Sequence, residues 1–487
     1  MPLEDIRNER IKKLGRLRAA GLDPYPAETH RTHAIADILK NFPKLARAKK
    51  SITAAGRVIA KREHGGSAFL DLRDESGKIQ VFFKKDILGD KSYQLFLDTV
   101  DIGDFLEVSG KLFKTKRGEP TVEGSGWRML AKSLRPLPEK WHGLQDVEER
   151  FRRRYLDLLM NEEVRGRFVF RSKIIKAIRE FFDSEGFMEV ETPLLQPIPG
   201  GALARPFKTR HNALDIDLYL RVAPELYLKE LLAGGLERIY ELGRSFRNEG
   251  IDATHNPEFT TIEWYAAYWD ENDMMNCVER ALAFFLKKLG LKNKIVFDGK
   301  TINFSKKIPR IKFGELLKQY ALIEDYEKET RDTLAAKARG LGIGVESYET
   351  KGKIADEIYK KVCRPHLVDP MFIINYPLDI SPLAKKTAAD SSAVRRFQLV
   401  AGGVEFVNAF AELNDPMDQA KRFEEQEKVR KIGGFELHPE DKDFVEALEY
   451  GMPPAAGAAI GIDRLVMLFT NTHNIKEVIL FPTMRPK

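Results

Sequence analysis

Residues 246–259 read FRNEGIDATHNPEF, and the fold turns on this stretch. Arg247 and Glu249 stand two positions apart, so on an extended chain their side chains share a face. The short polar loop that follows can fold over a ligand, and Phe259 beyond it can stack on a base. Strand-like segments flank the loop at Arg238–Phe246 and 258–265. Moving outward, 163–185 carries Val164, Phe168, Ile175, Ile178 and Phe182 at helical spacing, with Gly186 as its stop. Further segments read as a helix at 274–289 and strands at 372–376 and 397–410. Helices and strands follow no βαβ rhythm, which predicts α+β with an antiparallel sheet.

Near the C-terminus, Gly457-Ala458-Ala459-Ile460-Gly461-Ile462-Asp463-Arg464 opens an apolar run, 465–469. Small residues let backbone come close, and an arginine at the start of a helix can fork onto phosphate or stack on a ring. Taken alone, F-R-N-E is more often a surface ion pair and G-x-x-x-G more often helix packing. On the N-terminal side, 51–135 reads as short strands, including Ser67–Arg73, 78–83 and 105–115, with turns at Asp74–Gly77 and Lys116–Glu119. That spacing predicts a small antiparallel barrel, of which the OB barrel is one form among several. Residues 136–150, opened by Pro136 and Pro138, read as a linker.

The chain has 487 residues, 43% of them hydrophobic and 10% aromatic, enough for more than one packed domain and too apolar for a disordered chain. Its two cysteines, Cys277 and Cys363, exclude a disulfide framework and a cysteine zinc cluster, and fit a reducing compartment. The N-terminus lacks the apolar core of a signal peptide. The formal charge of +7 is uneven. Residues 1–50 carry 12 basic and 6 acidic side chains, whereas the stretch beyond 150 carries 51 of each. Residues 4–20 read as a short helix with Ile6, Leu14 and Leu17 as its stripe; a basic first third suggests a polyanion, and a solvated basic helix, Arg7 to Arg18, with no partner is the plain alternative. No G-x-x-x-x-G-K-[ST], H-E-x-x-H or G-x-S-x-G occurs, and the cluster Gly340, Gly342, Gly344 reads as a turn.

In order, the segments 186–193, 246–259 and 457–464 resemble the three motifs of class II aminoacyl-tRNA synthetases. The stretches IPGGALARPF (198–207), LRVAPELYLKELLAGG (220–235), NAFAELNDP (408–416) and IKEVILFPTMRP (475–486) resemble the lysyl-tRNA synthetases among them. The resemblance runs over the whole chain. It implies an N-terminal basic helical extension (1–50), a five-stranded OB-fold anticodon-binding barrel (51–142) and a class II catalytic domain (143–487) whose antiparallel sheet is flanked by helices. It implies a cytoplasmic homodimer, with Pro193 at the interface, that activates L-lysine with ATP and Mg2+ and transfers it to tRNA(Lys).

By the same resemblance, Arg247 would hold the α-phosphate and the lysine carboxylate. Phe259 and Arg464 would sandwich the adenine, with Glu249, His255, Asn256 and Glu405 completing the ATP site. Arg247, Glu249 and Arg464 would be catalytic. Gly201, Glu225, Glu263, Tyr265, Asn408, Phe410 and Glu412 would join Arg247 around lysine, three carboxylates suiting an ammonium and repelling an aspartate. The plain reading of PELYLK is that Glu225 merely caps a helix. Phe69 would stack on an anticodon base, unless it points into the barrel, and Arg62, Gln80 and Glu119 would read base edges. Two departures stand out. The metal pair is Glu405 with Gln398, where the family has a second acid, and Ala459 replaces the middle glycine of G-x-G-x-G-x-x-R. Competing readings are a paralogue that modifies something other than tRNA, which the basic barrel argues against, and a decayed RNA-binding scaffold. Intact Arg247, Glu249, Phe259, Glu412 and Arg464 argue against the second.

Overall fold

The computed structural model describes residues 2–138, 146–304, 307–388, 391–431 and 440–486. The chain divides into two compact units, Met1–Gln145 and Asp146–Lys487.

In the first unit, β1 (Ile52–His64), β2 (Ser67–Arg73), β3 (Lys78–Lys84), β4 (Phe105–Lys114) and β5 (Pro120–Ala131) close a barrel in the order β1-β2-β3-β5-β4. All pairs are antiparallel except β3 with β5. Strict alternation drives closure: in β2, Ala68, Leu70 and Leu72 are buried and the residues between them are not. The same alternation turns Phe69 outward, onto Phe82 at a centroid distance of 4.6 Å. Helices Lys85–Leu88 and Asp90–Thr99 between β3 and β4 were not legible as such; Phe96 of the second plugs the barrel.

Residues 1–50 share this core. Leu17 of the helix Leu3–Ala19 is fully buried there with Ile35, Ile38 and Phe42. Arg10 of the same helix is also buried, its guanidinium donating to the carbonyls of Ile102, Ser133 and Arg135. Lys13 pairs with Asp101 at 2.7 Å. Part of the N-terminal charge is therefore spent holding the helix in place, and the charge that faces water is the remainder, such as Lys12, Arg16 and Arg18.

The expected linker falls partly on 139–145, outside the described residues. Its end is helical: Asp146 caps Val147–Arg152 by accepting from the amides of Glu148 and Glu149.

The second unit contains β6 (Met188–Glu189); β7 (Leu195–Gln196), β8 (Phe207–His211) and β9 (Ile216–Leu220), which form a small sheet; β10 (Arg238–Phe246); β11 (Glu258–Ala267); the hairpin β12 (Lys294–Phe297) and β13 (Lys300–Asn303); β14 (Arg310–Lys312); β15 (Met371–Pro377); β16 (Ala393–Ala401); β17 (Val404–Ala411); and β18 (Ala455–Gly461). Eight of them build one sheet in the order β14-β15-β16-β17-β18-β11-β10-β6. The six inner strands are antiparallel, as expected, but both edges pair in parallel, so the sheet is mixed. Each edge strand is short and arrives from a long connection, which leaves its direction free of hairpin geometry.

The helices Glu162–Ser184 and Glu271–Lys288 cover one face of this sheet through Ile178, Phe182, Val278 and Phe285. Gly186, at φ 78°, stops the first of them. The stretch 397–410, read as one strand, is two: Gly402 and Gly403, at φ 59° and 75°, turn β16 back into β17.

Candidate active site

The open face of the sheet holds a cavity of about 410 Å3. Gly201, Glu225, Arg247, Glu249, His255, Asn256, Phe259, Glu263, Tyr265, Gln398, Glu405, Asn408, Phe410 and Arg464 all line it. Glu412 lies just behind the wall, 1% exposed.

β10 ends at Phe246, so Arg247 and Glu249 reach the cavity from the loop and not by strand alternation. The Nε of Arg247 is buried without a hydrogen-bond partner among the described residues, and its guanidinium sits 5.1 Å from the Phe259 ring. A buried, unanswered donor is costly, and here it faces the space where an anion would bind.

The loop is braced by its own residues. Asp252 Oδ1 accepts from the amides of Thr254 and His255, while Oδ2 lies 2.8 Å from His255 Nδ1. Arg464 approaches His255 Nε2 at 3.0 Å, and as arginine only donates, that nitrogen is the acceptor. Arg464 lies in the first turn of the helix Ile462–Phe469. The neighbouring Asp463 pins that helix by accepting from Arg171 at 2.5 Å and from the Thr260 amide at 2.8 Å. Asn256 is tied up internally: its Nδ2 donates to the Glu258 carbonyl and its Oδ1 accepts from the Thr483 amide.

At the other end of the cavity the carboxylates gather. Glu263 and Tyr265 alternate on β11, and the Tyr265 hydroxyl donates to Glu263 at 3.4 Å. Burial, then the Glu225 carboxylate, push Glu263 up to about 8. Burial raises Glu412 to about 8 and raises Glu225 as well. Glu225 begins the helix Glu225–Ala233 but makes no cap. Its carboxylate instead accepts from Lys229 at 2.6 Å, and Lys229 also lies 2.5 Å from Glu412 Oε2. Asn408 is oriented by Arg396, which donates to its Oδ1 at 2.9 Å and leaves its amide nitrogen for the cavity. Gly457 is obligatory: a Cβ there would come within 2.2 Å of the Tyr265 ring and 2.4 Å of Glu412 Oε1. Ala459, by contrast, is a partly exposed residue of the cavity floor.

Glu405 reaches the cavity through a bulge. Gln398 pairs with Asn408 and Val400 with Glu405, so Phe406 is the extra residue and Glu405 regains the face of Asn408 and Phe410. Gln398 is buried, and its Oε1 accepts from the Tyr376 hydroxyl at 2.7 Å. Among the described residues no cluster of three His, Cys, Asp or Glu could hold a metal. Lys353 and Lys360, which sequence reasoning did not single out, also line the cavity.

On the barrel, Phe69, Phe82 and Phe113 form an aromatic surface, with Phe82 and Phe113 6.1 Å apart. Arg62 pairs across from Phe69. Gln80 holds Thr121, and Glu119 is exposed at the β4–β5 turn. Phe82 and Phe113 were missed, although their alternation with buried Val81, Phe83 and Leu112 marks them as outward.

Residues 146–485 match the model of tRNA synthetases class II (D, K and N), and 52–130 match the OB-fold nucleic acid binding domain. The chain belongs to the class II tRNA synthetase family. It is 48% identical over 485 residues to the lysine–tRNA ligase of Carboxydothermus hydrogenoformans, covering 100% of this chain and 99% of that one. It is 48% identical over 488 residues to the lysine–tRNA ligase of Pelotomaculum thermopropionicum (100% and 96% covered) and to that of Roseiflexus sp. strain RS-1 (100% of each).

Proposed function

We infer that the protein is a lysine–tRNA ligase. It activates L-lysine with ATP to lysyl-adenylate and pyrophosphate, then passes lysine to the 3′-terminal adenosine of tRNA(Lys). One observation carries the choice of lysine: Glu225, Glu263 and Glu412 converge beside Arg247 in one buried site. A cationic side chain satisfies that wall, and the acidic or amide side chains of the family's other substrates do not. Arg247 joins the lysine carboxylate to the α-phosphate and steadies the charge of the attack. Phe259 and Arg464 hold the adenine between them, which requires Arg464 to leave His255. His255, Glu249 and Asn256 frame the phosphates and ribose, Asn256 by fixing the loop. Gly201, Tyr265, Asn408 and Phe410 shape the lysine channel.

For magnesium, Glu405 fits as the single protein carboxylate, since this ion commonly takes one or two carboxylates with substrate phosphates. Gln398 fits poorly, being uncharged and already accepting from Tyr376. When bound, the ion would neutralise the phosphates.

The unit Met1–Gln145 would read the anticodon, with Phe69 stacking on a base, Phe82 beside it, and Arg62, Gln80 and Glu119 at base edges. Catalysis belongs to the other unit. A homodimer is supported by Leu194 and Leu195, 47% and 46% exposed beside Pro193. This reading places the enzyme in the cytoplasm; no helix among the described residues is long and apolar enough to cross a membrane. The test is ATP–pyrophosphate exchange with each of the twenty amino acids. Lysine alone should support it, and exchange with aspartate or asparagine in its place would refute the reading.

A further inference from the structure

Lys229 is fully buried on the helix Glu225–Ala233, outside the residues that line the cavity. Its ammonium contacts Glu225 Oε1 at 2.6 Å and Glu412 Oε2 at 2.5 Å, and lies 5.2 Å from the centre of the Phe410 ring. Neither oxygen of Glu412 has a hydrogen-bond partner of good geometry among the described residues, but Oε2 has the Lys229 ion pair, whereas Oε1 lies next to Gly457, where the missing side chain leaves a gap. Just behind the cavity wall, then, stands an unanswered acceptor whose partner oxygen is in contact with a cation of the chain itself.

We propose that Lys229 is a positioning residue for the amino-acid substrate: by clamping Glu225 and Glu412 it draws both carboxylates toward the charged form against the pull of burial and aims their free oxygens at the incoming ammonium. This rests on the lysine reading above and deepens it. Without Lys229, three glutamates would share one dry site. Like charges at that range drive protons on, and a protonated carboxyl gives up most of its attraction for an ammonium. With Lys229, the free site holds one fixed cation among three acids, and the substrate's ammonium completes an alternating set.

The other charges facing this group are Glu263 and Tyr265 from β11, Arg396 from β16 and Arg247 from the loop after β10. Neither arginine takes the clamp's place: Glu225 feels Arg396 more weakly than Lys229, and Lys229 is the cation that draws Glu412 toward its charged form. Burial would discharge Lys229, but Glu225 and Glu412 outweigh it and hold the ammonium protonated. A buried ion pair could serve stability alone. Only the positioning role moves the pH dependence of substrate binding.

The experiment compares full-length wild type with Lys229→Met and Lys229→Arg in lysine- and ATP-dependent pyrophosphate exchange between about pH 6 and 9. Lys229→Met should raise the lysine KM about 100-fold, leave the ATP KM within about twofold, and move the pH dependence of the lysine KM up by about one unit or more. Lys229→Arg, which keeps the charge, should retain the wild-type pH dependence even if its KM rises. The proposal is overturned if Lys229→Met leaves the lysine KM within about threefold, or if Lys229→Arg shows the same alkaline displacement as Lys229→Met. Should Lys229→Met not fold, the Lys229→Arg profile decides alone: coincidence with wild type supports the clamp and displacement overturns it. Wild type that exchanges with another amino acid in place of lysine refutes the lysine reading itself, a different result from any of these.

Discussion

Glu263 sits in the free pocket with its carboxyl pushed up to about 8 by burial and the Glu225 charge. The substrate ammonium favours the ionised form, so below that pH lysine must expel a proton to bind. Lysine affinity should accordingly rise with pH, by up to about tenfold per unit, and level off above about 8. The stability sign agrees. A carboxyl raised above its unfolded value contributes stability that is complete below about pH 4 and lost as pH rises through about 8, so lysine's stabilising shift in Tm should grow with pH. Calorimetric titration in buffers of different ionisation heat checks both, and an affinity flat from pH 6 to 9 without proton release would remove Glu263 from the contact. Gln398 makes the second residue-level case. Gln398→Glu keeps an oxygen for the Tyr376 hydroxyl and adds a charge facing the cavity. Half-saturating magnesium in pyrophosphate exchange should fall about tenfold, and an unchanged titration curve would show that the amide costs nothing.

Strands and turns decide which of these side chains meet. β18 threads between β11 and β17 with Gly457 opposite Tyr265 and Phe410. Any side chain at that point strikes Tyr265 and Glu412. Gly457→Ala should therefore raise the lysine KM by roughly two orders of magnitude and lower stability by about 1–3 kcal/mol, while ATP binding survives. A variant with a wild-type lysine KM would mean that the strand yields freely. The Gly402-Gly403 turn and the Phe406 bulge work on the neighbouring strand: the first creates β17, and the second rotates Glu405 back to the cavity. The Gly-Gly pair between two apolar runs is a hairpin signal that reading 397–410 as one strand passed over; the bulge has no mark in the sequence, because it depends on how β16 and β17 settle against each other.

At the scale of the whole molecule, recognition and chemistry sit in separate compact units, each with its own core. Replacing the outward aromatics should then separate the two activities. Phe69→Ala with Phe82→Ala should raise the tRNA KM about 10- to 100-fold, one stacked base being worth about 1–3 kcal/mol, with lysine-dependent pyrophosphate exchange unchanged. Loss of exchange in this variant would contradict that independence. The sequence by itself determined the strand periodicity of the barrel, the amphipathic helices behind the sheet and the helix stop at Gly186, because these follow from local sterics and from apolar residues needing one side. It also pointed to many of the residues around the cavity, though not Lys353 and Lys360, since those it found stand in segments long enough to resemble a family. Tertiary structure alone decided that Arg10 anchors a helix instead of meeting a polyanion, and that Lys229 answers Glu225 and Glu412. A buried charge takes its partners from whatever the packed chain brings within a few ångströms, and the separations along the chain, 92 residues from Arg10 to Ile102 for one, carry no trace of that in local pattern.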